Sequence, residues 1–303
     1  MSKMLCDVCH RLPAFYHRRF EGTRLCRMCF KKSVENKVRK TISEHQMLRR
    51  DDRVAVAVSG GKDSLTLLYV LRKIGSRFPD FKLKALTIDE GIKGYRDEAI
   101  KLAREFCGKM RVHQEVFSFK ELFNLTLDEA VKKRNERHPC SLCGVLRRRA
   151  MEVGARKMEV NKLATAHNLD DELQTFFLNI LHGEPLRIAR NKPLMNGAGG
   201  LFIPKIKPFH QILEKEISLY AYISGIPFQE KPCPYAGSAL RNDIRRFLDE
   251  MESRHPGLKY VAYSAVSKLK DAGELREGFT KCALCGEPSA TNICSVCEIT
   301  AQT

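Results

Sequence analysis

The run Arg53–Ser59 (RVAVAVS), leading at once into Ser59-Gly60-Gly61-Lys62-Asp63-Ser64, narrows the possible folds more than any other stretch of this chain. Short β-branched runs of this kind are buried on both faces of a parallel sheet. Paired glycines let the backbone turn tightly and approach an oxyanion, and a helix opening there presents free amides and the positive end of its dipole. Strand, glycine turn and helix in that order make a phosphate loop. Lys62 supplies positive charge, Ser59 and Ser64 supply hydroxyl donors, and Asp63 is expected to hold Mg2+ or to fix the loop. The spacing is not that of a Walker loop.

Apolar runs and helical patterns alternate after the loop. Helices are predicted at Ser64–Ile74, Tyr95–Met110 and Lys120–Asn135, and strands at Leu83–Asp89, Val112–Phe119 and Lys162–His167. A helix runs to about Met158, others cover Leu169–Leu181 and Glu214–Ser224, and the remainder is helical to about Ala272. The fold class is therefore α/β, a doubly wound and mainly parallel sheet. Thr87-Ile88-Asp89-Glu90-Gly91 and Thr165-Ala166-His167-Asn168-Leu169-Asp170-Asp171 end two of its strands, at the carboxyl edge where such sheets bind ligands. Asp170 and Asp171 there serve either a nucleotide and metal site or a helix cap.

Lys plus Arg number 53 against 36 Asp plus Glu, a formal charge of +17, which implies a polyanionic partner such as nucleic acid. No apolar run approaches the about 18 residues of a membrane span and the first residues lack a secretory pattern, so a cytoplasmic protein with no membrane partner is expected. Twelve cysteines in such a compartment point to metal before disulfides. Cys6-x2-Cys9 with Cys26-x2-Cys29, and Cys282-x2-Cys285 with Cys294-x2-Cys297, read as two closed, structural four-thiolate zinc sites flanking the sheet as zinc-ribbon modules. Arg11, Arg18, Arg19, Arg24 and Lys31 make the first module either an RNA clamp or a solvated face, and Arg241, Arg245 and Arg246 offer a second such surface. Cys107 reads as a small core residue.

Cys140 and Cys143 precede a basic helix expected to begin near Val145, with Arg147, Arg148 and Arg149 in its first turns. Thiols so placed should be largely thiolate. Cys233 lies between Pro232 and Pro234. Three such cysteines allow an iron–sulfur cluster with one open iron, a persulfide with a resolving thiol, or zinc with a fourth ligand elsewhere.

SGGKDS, DEGIKGYRDE, PCSLCGVLRRRA, AHNLDDE and PCPY, in that order, resemble the tRNA 2-thiouridine synthetases of archaea, thermophilic bacteria and the eukaryotic cytosol, within the PP-loop ATP pyrophosphatases. The resemblance covers nearly the whole chain. It implies a fold like the adenine nucleotide alpha hydrolases and ATP contacts at Ala57, Ser59, Gly60, Gly61, Lys62, Asp63, Ser64, Ile88, Arg147, Ala166 and Asp171. It also implies a 4Fe-4S cluster on Cys140, Cys143 and Cys233 whose fourth iron binds hydrosulfide, so that these cysteines with Lys62 and Asp63 carry catalysis. ATP, Mg2+, the cluster and two Zn2+ are the implied cofactors. Partners would be tRNA, a sulfur donor (a ubiquitin-like thiocarboxylated carrier or free sulfide) and a second copy in a homodimer. The family often has glycine at the position of Ala166, and some relatives have histidine at that of Cys29.

The expected division is a zinc module at 1–33, a basic helical linker at 34–50, the PP-loop catalytic domain at 51–235, a helical extension at 236–275 and a second zinc module at 276–303. The expected reaction adenylates the C2 oxygen of a tRNA uridine, wobble position favoured over the T-loop, and replaces it with sulfur. Another PP-loop tRNA-modifying ligase needs no central thiols, and a non-catalytic zinc-ribbon RNA-binding protein needs no intact Lys62, Asp63 and Asp171.

Overall fold

The computed structural model describes residues 4–76, 80–134, 138–184, 187–188, 193–195, 197, 200–236, 240–272 and 280–301. The chain opens with a hairpin, β1 (Tyr16–Arg18) and β2 (Thr23–Leu25), and passes through Cys26 into helix α1 (Arg27–Glu44). The Cys26 sulfur caps that helix by accepting from the Cys29 N–H. α1 thus crosses the expected 33/34 boundary, and Val34, Val38, Ile42 and Met47 of the expected linker are core residues.

Next come β3 (Arg53–Ala57), α2 (Lys62–Gly75), β4 (Lys82–Asp89), α3 (Arg96–Met110) and β5 (His113–Ser118). Where one helix was expected, two short ones follow: α4 (Phe119–Phe123) and α5 (Leu127–Arg134). Asn124 takes a left-handed conformation (φ 57°) and stops the first, and Thr126 with Glu129 caps the second. The expected end at Asn135 lies outside the described residues, as does the 275/276 boundary.

α6 (Pro139–Lys157), β6 (Lys162–Ala164) and α7 (Leu169–Leu181) complete the expected alternation. Two short strands that the pattern did not signal, β7 (Leu194–Met195) and β8 (Lys205–Ile206), extend the sheet, and α8 (Glu214–Ser224) follows. α9 (Leu240–Arg254) and α10 (Leu258–Ala272) are separated by a turn at Gly257, whose φ is +97°. β9 (Thr280–Lys281), β10 (Pro288–Ser289) and α11 (Ser295–Ala301) make the closing module.

The sheet has six strands in the order β5-β4-β3-β6-β8-β7, parallel throughout except for β7 with β8. Burial on both faces shows in the alternation of β3. Val54, Val56 and Val58 enter one core with α1, α2, α3 and α8, while Ala55 enters the opposite core with Leu86, Ile88 and the inner face of α6. Chain order reverses at β3, which has β4 on one side and β6 on the other. A crevice opens at such a switch point, outside the carboxyl ends of the strands. No helix among the described residues is long and apolar enough to cross a membrane.

One residue of the first module changes role. Arg18, expected on an exposed face, either RNA-binding or solvated, is buried: its Nε lies 2.6 Å from a carboxylate oxygen of fully buried Glu216, and its other nitrogens donate to Glu21 and Ser33. It staples the hairpin to α8. Arg18→Met leaves Glu216 buried with only Lys37, 3.6 Å away, for compensation. Urea unfolding should show a loss of about 3 kcal/mol, partly recovered when Glu216→Gln is added.

Candidate active site

The loop after β3 is built by local bonds. The Ser59 N–H donates to Ser64 Oγ at 3.1 Å, and Ser64 Oγ donates to the Gly61 carbonyl at 2.9 Å. Gly60 has φ +88°, and a Cβ there would meet the Ala99 carbonyl oxygen at 2.7 Å, so both conformation and space require glycine. Gly61 is the N-cap of α2 and brings no side chain to the first amides. Arg96, buried and not singled out by the sequence, ties two strand ends together. It donates to the carbonyls of Ser59 at 3.0 Å and Ile88 at 2.6 Å and pairs with Glu90 at 2.7 Å.

A cavity of about 880 Å3 opens over this loop. Of the expected nucleotide contacts, Ala57, Ser59, Gly61, Lys62, Asp63, Ser64, Arg147, Ala166 and Asp171 line it. Gly60 shapes the turn, and Ile88 stands at the end of β4 with its carbonyl held by Arg96. Lys62 Nζ lies 2.6 Å from Glu214 and 3.1 Å from Asp63, and Arg245 donates to both Glu214 oxygens at 2.8 and 2.9 Å. Carboxylates therefore occupy the lysine where phosphate oxygens would. Burial alone would lower the Lys62 pKa, but Asp63 and Glu214 raise it. Nothing local to Glu214 in the sequence announces this role.

Asp170 and Asp171 divide the work. Asp170 pairs with Lys259 and accepts the Glu214 N–H at 2.7 Å. Asn168, not either aspartate, caps α7, and Asp171 accepts the Asn168 N–H in a capping box while facing the cavity. Burial lifts the Asp171 pKa from 3.8 to about 6, with Asp63 adding to the rise and the Asn168 amide opposing it. His167 sits on the cavity floor with Nδ1 2.9 Å from Thr165 Oγ1. Desolvation, then Lys207, presses its pKa down to about 4, so the imidazole is neutral at neutral pH.

A carboxyl with a raised folded pKa contributes most below its unfolded value, and stability falls as the pH climbs from 3.8 to about 6. Asp171→Asn keeps the cap and removes the buried charge. At neutral pH it should stabilise the fold by about 1–2 kcal/mol, allowing for cavity water, and the gain should vanish below about pH 4. Thermal melts across pH check this; an unchanged or lower Tm at neutral pH would overturn it.

The central cysteines come from two distant segments. α6 begins at Pro139, six residues before the expected start, so Cys140 and Cys143 lie within its first turns. Cys143 is buried, Cys233 half-buried and Cys140 exposed, with Cys140 Sγ 3.3 Å from the Tyr235 carbonyl. The loop bearing Cys233 is pinned by Gln229, whose N–H reaches the Gly60 carbonyl at 3.0 Å and whose side-chain amide reaches the Tyr95 carbonyl at 2.9 Å. Tyr235 adds a 2.7 Å bond to Asp128. The thiolate expected at Cys143 is corrected: burial pushes this thiol up to about 11, and it also raises Cys233. Arg147 opposes this at both, but the inward turn of α6 desolvates Cys143, and neighbouring thiols repel each other's charge.

The terminal sets differ. Zn–S bonds of about 2.3 Å place the sulfurs of a tetrahedron about 3.8 Å apart. Here Cys9 and Cys26 are 3.9 Å apart, Cys282 and Cys297 3.9 Å, and Cys285 and Cys294 3.7 Å. In both sets all four sulfurs lie within 4.8 Å of one another, which the central three do not, and both have the geometry to hold a metal ion. At Cys6 burial resists ionisation, yet the amides of Cys26, Cys9 and Val8 outweigh it and bring the thiol to about 6. The closing set docks on α6: Arg149 reaches Cys285 Sγ at 3.4 Å and Glu287 at 2.9 Å.

A parallel sheet with this loop at its switch point defines a PP-loop protein, and residues 30–252 match the model of the PP-loop domain. The chain belongs to that family and, within it, to the tRNA 2-thiolation proteins. A probable sulfurtransferase of Methanocaldococcus jannaschii is 36% identical over 97% of this chain and 86% of its own length. The cytoplasmic tRNA 2-thiolation protein 1 of Saccharomyces cerevisiae is 33% identical over 97% and 85%. Among solved structures, the U34-tRNA thiolase NcsA from Methanococcus maripaludis with its 4Fe-4S cluster superimposes with a TM-score of 0.87 at 33% identity, covering 99% of this chain and 97% of that one.

Proposed function

We propose that this chain is an ATP-dependent tRNA thiolase that converts a wobble uridine to 2-thiouridine. One observation carries the reading: Arg147 lines the cavity over the phosphate loop and acts electrostatically on Cys140, Cys143 and Cys233 together. Nucleotide chemistry and sulfur chemistry thus share a guanidinium. A ligase joining an amine would leave the three thiols without a task.

With ATP in the cavity, the C2 oxygen of the uridine attacks the α-phosphorus and pyrophosphate leaves. Lys62 exchanges Glu214 and Asp63 for phosphate oxygens, and the open amides of α2 stabilise the charge that develops. Arg245 keeps Glu214 compensated during the exchange. Asp63 and Asp171, which both line the cavity, would hold Mg2+. The adenylate makes AMP the leaving group, and sulfur replaces it at C2 with no net change of oxidation state.

The donor set supports a cluster at the central site: three thiols from two segments, not gathered into one zinc-sized tetrahedron, with Arg147 beside them and Glu90 paired to that arginine at 3.6 Å. Cys140, Cys143 and Cys233 would hold it, and when bound it supplies an open iron for a sulfur ligand. The tetrahedral spacing at the two ends supports Zn2+ there. A ubiquitin-like thiocarboxylated carrier or free sulfide as donor, a homodimer, a cytoplasmic site of action and zinc modules flanking the catalytic domain complete the proposal.

Anaerobically purified protein with ATP and unmodified tRNA should release pyrophosphate and AMP in step with 2-thiouridine, read by mass spectrometry of the digested RNA. Hydrolysis of ATP that is indifferent to tRNA, with no thiolated uridine under reconstitution, would sink the reading.

A further inference from the structure

Two further cavities lie on the side of the phosphate loop that faces the first module. The outer one, about 590 Å3, sits between the β1 hairpin and α8 and is lined by Phe15, His17, Arg19, Lys215 and Tyr222 among others. The inner one, about 460 Å3, shares Tyr16, His17, Arg19, Lys215 and Ser218 with it. The inner cavity in turn shares Lys62, Glu214 and Arg245 with the nucleotide cavity. A continuous lining therefore runs from Tyr222 to the phosphate loop.

We propose that this trench binds the single-stranded nucleotides flanking the uridine that enters the active site, an inference that rests on the thiolase reading. Among the described residues, none lining the outer cavity is acidic. Arg19 and Lys215 are exposed, and neither side chain makes an ion pair among the described residues. Phe15 and Tyr222 are exposed aromatics with no place in the core, Tyr222 at 72%. The Arg27 guanidinium, 4.8 Å from the Phe15 ring centre, adds a cation to the same edge. Free cations beside exposed rings are the combination that holds a single strand, the cations tracking phosphates while the rings stack on bases.

Deeper in, the acids are already engaged: Asp170 and Asp249 by Lys259, Glu214 by Lys62 and Arg245, and Glu252 by the amides of Gly257 and Lys259. They do not leave a repulsive wall facing a polyanion. An acidic protein partner would explain the cations but not the rings, nor why the trench ends at the loop where a base must arrive.

The test is binding of unmodified substrate tRNA to the full chain across a salt series. Tyr222→Ala should weaken binding about 10-fold and Tyr222→Phe should restore it. Arg19→Glu with Lys215→Glu should weaken binding further and lower the salt slope by about two. ATP binding without tRNA, and the melting temperature, should match the parent in every variant. Parental tRNA affinity and slope in all of them would overturn the proposal, as would intact tRNA binding with selective loss of sulfur transfer from a thiocarboxylated carrier, which would give the surface to a protein. Failure of the parent protein to make 2-thiouridine would instead overturn the thiolase reading and leave the RNA-binding result standing.

Discussion

Cys233→Ala should abolish 2-thiouridine formation, by at least about a hundredfold, while tRNA-dependent pyrophosphate release in a single turnover stays within a few-fold of the parent. Cys233 belongs to a loop whose position is set elsewhere, by Gln229 on Gly60 and Tyr95 and by Tyr235 on Asp128, so losing one sulfur leaves the loop in place. The nucleotide cavity is lined by Phe228, Gln229 and Glu230 of that loop and not by Cys233. The activation half of the reaction is therefore spared. Anaerobic iron analysis should show iron lost from Cys233→Ala and from Cys140→Ala, with metal at the terminal modules retained. Thiolation surviving in Cys233→Ala would remove this residue from the sulfur chemistry.

Lys62→Ala should lose both halves. Without the ammonium, charge on the leaving pyrophosphate loses its cation and meets Asp63 unopposed, and adenylation should fall by about 10^2 to 10^3. The fold should survive, because Arg245 still pairs with Glu214 at 2.8 Å. Combining Lys62→Ala with Cys233→Ala should lower adenylation no further than Lys62→Ala alone, since Cys233 acts only after the uridine is activated. Pyrophosphate release, AMP and thiolated uridine, measured together, separate these outcomes. Parental AMP formation by Lys62→Ala would move the phosphate site away from this loop.

Much of this arrangement was legible in the chain itself. RVAVAVSGGKDS announced a buried strand, a tight turn and a helix with open amides, because β-branching, absent Cβ atoms and apolar period act on immediate neighbours. The paired Cys-x2-Cys spacings announced two metal-sized thiol sets for the same reason: each pair is carried by one turn. The limits of α7 and α8 matched those expected: Asn168 caps the start of the first, and Gly225, left-handed at φ 62°, ends the second.

What packing alone decided concerns partners and protonation. Arg18 read as one more surface cation until α8 brought Glu216 against it. Cys143 read as a thiolate until the earlier start of α6 turned it inward, where desolvation outweighs Arg147. Glu214, Gln229 and Arg96 acquired roles only when distant segments closed around the loop. Sequence pattern records local conformation and chemical type. The energy of a charge depends on what lies within a few ångströms through space and on how much water has been displaced, and both are set only when the segments pack.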